Sequence, residues 1–462
     1  MPQAVMDSPM GRMLVPQLTQ GINASRQNGS ILGLQNSSRA APPATQTKPA
    51  TSSVKLPKDS AEAQRLLQRA ESSCAAVFFT SATCGPCRPF YPIFDQLAEE
   101  LGEKATLIKI DISQPQMMAI AQHYSIQATP TFVTFVKGKE DERWSGGNPA
   151  SLRGKLQLLV HMAFPPHPHE GLRLPTFSNP HSKPVIYSKV PPMDKLMAKM
   201  GADVADKIEV KSLKRYLEAR ASNGLSDAVL PNMSQLSNLV QQSLGSLPQE
   251  KLFLIIDLFR CALVDPRVSA YFVEEQNHQA IRAALDFVND STSCPYALRL
   301  VTIQMACNLF TTPLFAEQLF RSPDLRRGVT MLVSSSFLDE AHNNVRVAAS
   351  SLLFNVSSAA RQSRSAESST NGSALPEEDQ VELAAAVVEA IGQEDKSAEA
   401  LHGMLLALGN LVYGTSMDGE LADLLRALDA QSTVTSKKDE FPDEKLIAEL
   451  GGELLGKGLR RP

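Results

Sequence analysis

Ser81-Ala82-Thr83-Cys84-Gly85-Pro86-Cys87 is the stretch on which the reading of this sequence turns. It closes an apolar run over residues 75–80 and opens a helix-like segment. Two cysteines two residues apart at a strand-to-helix turn, in a chain without signs of secretion, read as a redox pair. The thiolate is the attacking species, and a cysteine at a helix N-terminus has a lowered pKa. Orphan N–H groups and the helix dipole stabilise its charge. Cys84 is therefore the expected nucleophile, and Cys87, one helical turn further, the thiol that resolves the mixed disulfide. Gly85 allows the close turn. Pro86 fits the first turn, where no N–H is needed.

Around this stretch the pattern is globular from Val54 onward. Asp59 or Ser60 caps a helix running to about Arg69. Residues 75–80 form a buried strand, and residues 87–102 an amphipathic helix with Phe90, Ile93, Leu97 and Leu101 on one face. A strand over 106–111, a short helix over 116–124, a hairpin over 131–144 turning at Gly138 and a closing helix over 149–162 complete an α/β sandwich. Cys74 reads as a packed thiol at the start of its strand.

At 462 residues the chain is long enough for about three domains. A net charge of −4 argues against a general nucleic-acid or membrane-surface role. Six scattered cysteines are too few for a disulfide-stapled secreted chain. The first 17 residues lack an apolar signal core, and no apolar run reaches about 18 residues. A cytosolic, or nuclear, reducing setting is expected.

Residues 1–53, rich in Ser, Gln, Asn, Ala and Pro, are expected to be disordered. Residues 166–192 read as a linker, because Pro175, Pro180, Pro184, Pro191 and Pro192 resist helix and sheet. His161, His167 and His169 read as solvated linker histidines, since no Cys or carboxylate completes a metal set. No metal or cofactor is expected. Residues 193–456 are helical. Asparagine recurs in Ala306-Cys307-Asn308-Leu309-Phe310, Leu353-Phe354-Asn355-Val356-Ser357 and Leu408-Gly409-Asn410-Leu411-Val412. The second interval holds a polar insert, residues 361–371. A helical repeat of about 40–47 residues is the armadillo pattern, with a concave binding face. An asparagine on each inner helix either holds a peptide backbone through both its donor and its acceptor or packs and caps helices. Arg299 and Arg346 are candidates for recognising acidic peptides, with Arg260 and Arg267 in the preceding repeat. Cys261, Cys294 and Cys307 read as core thiols, and neither His342 nor His402 neighbours a nucleophile pattern.

Residues 54–165 resemble the thioredoxin family. The resemblance rests on the Cys84-Gly85-Pro86-Cys87 motif, on Ala128-Thr129-Pro130-Thr131, on Pro92, on Lys137-Gly138-Lys139 and on Gly146 or Gly147. It implies a cis-proline loop at Thr129 and Pro130 that binds substrate backbone. Two positions depart from the family: Thr83 stands where it has a tryptophan, and Phe78 where it has a buried aspartate that assists proton transfer. Residues 184–456 resemble the PUL domain through Val190-Pro191-Pro192-Met193-Asp194-Lys195, Ala297-Leu298-Arg299-Leu300-Val301, Val345-Arg346-Val347-Ala348-Ala349 and residues 407–412. This implies an armadillo fold that binds the acidic C-terminal tail of the AAA-type ubiquitin-selective unfoldase, valosin-containing protein. Residues 8–18 resemble the tail of PPPDE-type cysteine peptidase domains found ahead of thioredoxin and PUL domains in fungal proteins, which implies a relative lacking that peptidase. The expectation is a multidomain chain, an α/β thioredoxin fold followed by an all-α armadillo-like helical repeat. Its expected function is a thiol–disulfide oxidoreductase joined to a module that binds the unfoldase or a similar acidic peptide. The alternative is a non-enzymatic scaffold in ubiquitin-linked protein turnover.

Overall fold

The computed structural model describes residues 53–178, 183–224, 228–366 and 374–460. All but the last residue of the expected disordered segment, Pro180, and residues 367–371 of the polar insert lie outside them. The chain divides into two compact units, one ending at His167 and the other beginning at Pro168.

The first unit carries α1 (Ser60–Arg69), β1 (Cys74–Thr80), α2 (Phe90–Leu101), β2 (Ala105–Asp111), α3 (Met118–His123), β3 (Thr131–Val136), β4 (Lys139–Ser145) and α4 (Pro149–Ala163). Asp59 caps α1 by accepting from the Glu62 N–H at 2.7 Å. The sheet order is β2-β1-β3-β4, with β1 parallel to β2 and antiparallel to β3, and β3 antiparallel to β4. Every residue of β1 is buried, because both faces of this central strand are covered. Side chains alternate between the two faces. Cys74, Ala76 and Phe78 pack with residues of α2 and α4; Ala75, Val77 and Phe79 pack with Ala63 and Ile120 from α1 and α3. The buried stripe of α2 is Phe90, Phe94, Leu97 and Ala98. Phe94 joins the expected stripe as a fully buried residue, and Ile93 and Leu101 pack half-buried at its edge.

The second unit is helical. Its main elements are α5 (Met193–Met200), α6 (Ile208–Asn223), α7 (Met233–Ser246), α8 (Gln249–Ala262), α9 (Gln279–Asp290), α10 (Tyr296–Leu309), α11 (Pro323–Phe337), α12 (Asn343–Ala366), α13 (Glu377–Gln393) and α14 (Ala398–Val412), followed by a π-helix (Ile447–Leu455). Helices α8, α10, α12 and α14 pack side by side in one layer, and α7, α9, α11 and α13 in a second layer against them. This two-layer stacking explains why α8, α10, α12 and α14 are apolar on more than one side. Helix α12 runs through Arg361 into the stretch expected to be a polar insert.

A buried ion pair joins the repeats. Arg346 on α12 donates to Glu394 beyond α13 from Nε and Nη2 at 2.7 and 3.0 Å. Two further donors go to the Asp339 carbonyl and Asn343 Oδ1. Arg346 is therefore a structural arginine and does not serve as a groove cation. Burial pushes the Glu394 carboxyl up, but Arg346 and the N–H groups of Ser397 and Lys396 outweigh it and hold it below its ordinary value of 4.5. A depressed folded pKa stabilises the fold above the unfolded value and loses that contribution as pH falls through the folded value. The helical unit should therefore melt progressively earlier as pH drops below 4.5. Glu394→Gln should remove that component and cost about 3 kcal/mol or more at neutral pH, because it strands a buried guanidinium. Thermal melts of both proteins across pH 3–7 check this.

Candidate functional site

In the first unit Cys84 lies at the end of the loop leaving β1, and a short 3-10 turn (Gly85–Cys87) follows it. Cys84 is 9 % exposed and Cys87 is fully buried. The two are joined by a disulfide of 2.02 Å. The Cys84 N–H donates to the Ser81 carbonyl, and the Cys87 N–H to the Cys84 carbonyl. Across from this turn runs the loop with the cis Thr129–Pro130 bond. The Ser81 and Thr129 hydroxyls meet at 3.3 Å, and the Gly146 N–H donates to the Pro130 carbonyl at 2.8 Å. Gly146 and Gly147 both have positive φ, +71° and +112°, which glycine adopts without strain. The motif, the proline loop and the late glycines are thus one site.

Phe78 changes the support behind it. Its ring is fully buried, stacks on Phe132 at 4.6 Å and meets Phe94 edge-on at 5.4 Å. Phe132 in turn stacks on Trp144 at 5.3 Å. A carboxylate in this aromatic column would lose its hydration at a cost of several kcal/mol. The other thiols are quiet. Burial raises Cys74 and Cys261 to about 11 and pushes Cys294 and Cys307 up as well. Cys74 donates to the Lys104 carbonyl and is not bonded to Cys84. Among the described residues, no group of three His, Cys, Asp or Glu side chains is placed to hold a metal ion. Nor is any helix among them long and apolar enough to cross a membrane.

In the second unit the presumed linker is the surprise. Its described residues, 172–178 and 183–190, are not a free spacer: they lie against helices α8, α10, α12 and α14. Asn355 Oδ1 accepts from the Val185 N–H at 2.7 Å, and its Nδ2 donates to the Val185 carbonyl at 2.9 Å. Asn308 does the same to Tyr187, at 2.7 and 3.0 Å. Arg260 donates to the carbonyls of Tyr187 and Lys189 at 2.5 and 2.9 Å. Further back, Arg361 donates to the Phe177 carbonyl and, at 3.1 Å, to Asn410 Oδ1. The segment thus meets α14 first, then α12, α10 and α8, running against the order of the helices.

Side chains lock it down. Leu174, Phe177 and Val185 are buried, and the Tyr187 hydroxyl donates to Ser351 at 3.2 Å. Phe177 lies so close over Gly409 that a methyl group there would overlap the ring. Arg361 stacks on Tyr413 at 4.4 Å, and burial pushes its guanidinium below the ordinary value. The Thr176 N–H and hydroxyl both donate to Glu449 at 2.8 Å. His169, read from sequence as solvated, is buried: its Nδ1 accepts from the Gly414 N–H at 3.1 Å and Nε2 faces the Gly458 carbonyl at 3.3 Å.

Of the five groove candidates, Asn308 and Asn355 grip an extended backbone directly, and Asn410 reaches it through Arg361. Arg299 donates instead to the hydroxyls of Ser335 and Ser336 on α11. Arg260, assigned only to the preceding repeat, grips the segment, while Arg267 pairs with buried Asp265. Gly409 and Arg361 were missed. Gly409 stood inside a quoted motif, and Arg361 stood at the start of the stretch read as a polar insert. His342 and His402 face Asp339 and Glu444 at 3.0 and 2.9 Å.

The PUL-domain family model matches residues 179–453, more than half of the chain, and the thioredoxin family model matches residues 56–157. Thioredoxin-1 of Schizosaccharomyces pombe is 31% identical over 104 residues, 22% of this chain and 96% of that protein. The chloroplastic thioredoxin Y of Oryza sativa subsp. japonica is 37% identical over 86 residues, 19% of this chain; the match spans about half of that relative, 49%. The X-ray structure of Fasciola hepatica thioredoxin is 31% identical, with a TM-score of 0.22, covering 23% of this chain and 99% of that one.

Two substitutions test the segment's seat. Gly409→Val should expel Phe177, and Phe177→Ala should remove its anchor at a cost of about 3–5 kcal/mol. Both should speed tryptic cleavage after Lys189. Adding Phe177→Ala to Gly409→Val should restore part of the stability lost by Gly409→Val alone.

Proposed function

Because the chain belongs to the PUL-domain family and carries a thioredoxin domain ahead of its PUL domain, we propose that it is an adaptor that performs thiol–disulfide exchange at Cys84 and Cys87 and docks through its helical repeat on a partner protein. In the exchange, the Cys84 thiolate attacks one sulfur of a substrate disulfide and expels the other as a thiolate. Cys87, as thiolate, then attacks the Cys84 sulfur, the substrate leaves as a dithiol, and Cys84 and Cys87 end joined. Two electrons pass to the substrate, and an external dithiol reductant resets the pair. The placement of Cys84 at the rim, Cys87 behind it and the Thr129–Pro130 loop beside them supports this reading.

The partner in this proposal is the acidic C-terminal tail of the AAA-type ubiquitin-selective unfoldase, met in the cytosol or nucleus. The observation that carries the docking reading is the double amide grip of Asn308 and Asn355 on an extended backbone. A groove built to hold one extended strand offers another the same bonds. The chain's own residues 183–190 occupy it, so an incoming tail competes with them. A second reading, a non-enzymatic scaffold in ubiquitin-linked turnover, is favoured by Phe78, which leaves the thiol pair without the family's carboxylate.

Insulin reduction by the reduced protein separates the two readings. Exchange predicts turnover that Cys84→Ser abolishes, and absence of turnover in the wild type supports the scaffold. Calorimetry with the unfoldase's C-terminal peptide tests docking. Binding should tighten about tenfold or more in Phe177→Ala, whose own segment is weakened, and fall in Asn355→Ala, which loses two buried backbone bonds. No heat with any of the three proteins would remove the unfoldase from the proposal.

A further inference from the structure

The reactivity of Cys84 depends on where the N–H groups of the following turn point, and so on how the start of α2 is held against the sheet. Most bonds within the loop are internal to it. Cys84 N–H goes to Ser81, Cys87 N–H to Cys84, Arg88 N–H to Gly85 and Tyr91 N–H to Arg88. These shape the turn but do not anchor it. Three contacts reach outside it. The Ala82 N–H donates to Ser113 Oγ at 3.4 Å, and the Ser81 and Thr129 hydroxyls meet at 3.3 Å. The third is much shorter: the hydroxyls of Thr80 and Tyr91 lie 2.6 Å apart.

Thr80 stands four residues before Cys84, and Tyr91 four residues after Cys87. Their bond closes the loop at its base and encloses both cysteines. Thr80 is a fixed point. It is buried, aligned with Asp111 on β2, and its carbonyl accepts from the Ile112 N–H at 2.8 Å. The Tyr91 ring packs against Phe78 at 5.7 Å and meets the Lys109 ammonium at 5.1 Å. Lys109 is itself steadied by Asp95 at 3.7 Å. A short hydroxyl–hydroxyl bond in a half-buried site is one of the stronger neutral hydrogen bonds.

We infer that Thr80 and Tyr91 are positioning residues for the Cys84 thiol, their hydroxyl bond fixing the turn Gly85–Cys87 that leads into α2 so that the turn's N–H groups stabilise the thiolate. This rests on the exchange reading above. Loss of either hydroxyl lets the helix start drift, weakens the stabilisation and leaves less thiolate at neutral pH.

The test uses the reduced full-length protein and isosteric variants, Tyr91→Phe and Thr80→Val. The rate of iodoacetamide alkylation at Cys84 is followed against pH by peptide mass spectrometry. Each variant should move the alkylation midpoint to higher pH and slow alkylation at pH 7 about threefold, the worth of one such bond. The double variant should be no slower than either single one, and Thr80→Ser, which keeps a hydroxyl, should match the wild type. A midpoint unmoved in both variants, with or without a lower melting temperature, overturns the inference. If the wild-type Cys84 itself alkylates with the profile of an ordinary thiol, the exchange reading falls and this inference with it. If the wild type titrates low and reduces insulin while the variants match it, only the positioning role falls.

Discussion

A buried backbone has to find partners for its N–H and C=O groups, and among the described residues, 183–190 pair with no strand. The helical unit is arranged around that need. Asn355 and Asn308 each offer one amide, which is the only neutral side chain able to donate and accept along one edge as a strand would. Arg260 and Arg361 supply further donors to carbonyls that the amides do not reach. The spacing of the inner helices then sets the spacing of the grips, at Val185 and Tyr187 on the segment and at α12 and α10 on the repeat. Phe177 can sit deep only because residue 409 is glycine. The segment, the asparagines and the glycine explain one another.

In the thioredoxin-like unit the constraint is different. A central strand buried on both faces leaves each residue a single choice of side, and Phe78 falls on the side of Cys87. With a phenyl ring there, the space is filled by stacking through Phe132 to Trp144 rather than by a carboxylate and its water. The hydrophobic gain is about 2 kcal/mol for a fully buried ring. The loss is a nearby acid or base for the resolving thiol. The cysteine pair therefore rests on an aromatic foundation, with the Thr80–Tyr91 hydroxyl bond at the base of its loop.

Much of this was legible from residue order. Strand and helix periodicity placed the elements of the first unit within a few residues, because each buries one face at a regular interval. The Cys84–Cys87 pair, the Thr129–Pro130 loop and the recurring asparagines were visible as local patterns. Two readings failed for a shared reason. Prolines made residues 166–192 look like a spacer, and with them His169 looked solvated. Proline does exclude helix and sheet, but an extended chain gripped by side chains is neither. Arg346 failed in the opposite way, since its partner Glu394 lies 48 positions away and nothing local announces the pair.

By itself the sequence determined the chemistry-bearing groups and the local elements: a thiol pair at a helix start, an amide at one position of each repeat helix and apolar faces of the right period. These follow from covalent structure and near-neighbour contacts. Only the tertiary structure decided what those groups hold. That the amides grip the chain's own segment, that Arg346 is spent on Glu394 and that Thr80 meets Tyr91 across the cysteine loop depend on packing that brings distant residues within hydrogen-bond distance. Such contacts leave no periodic trace, because each is made by one pair of residues once.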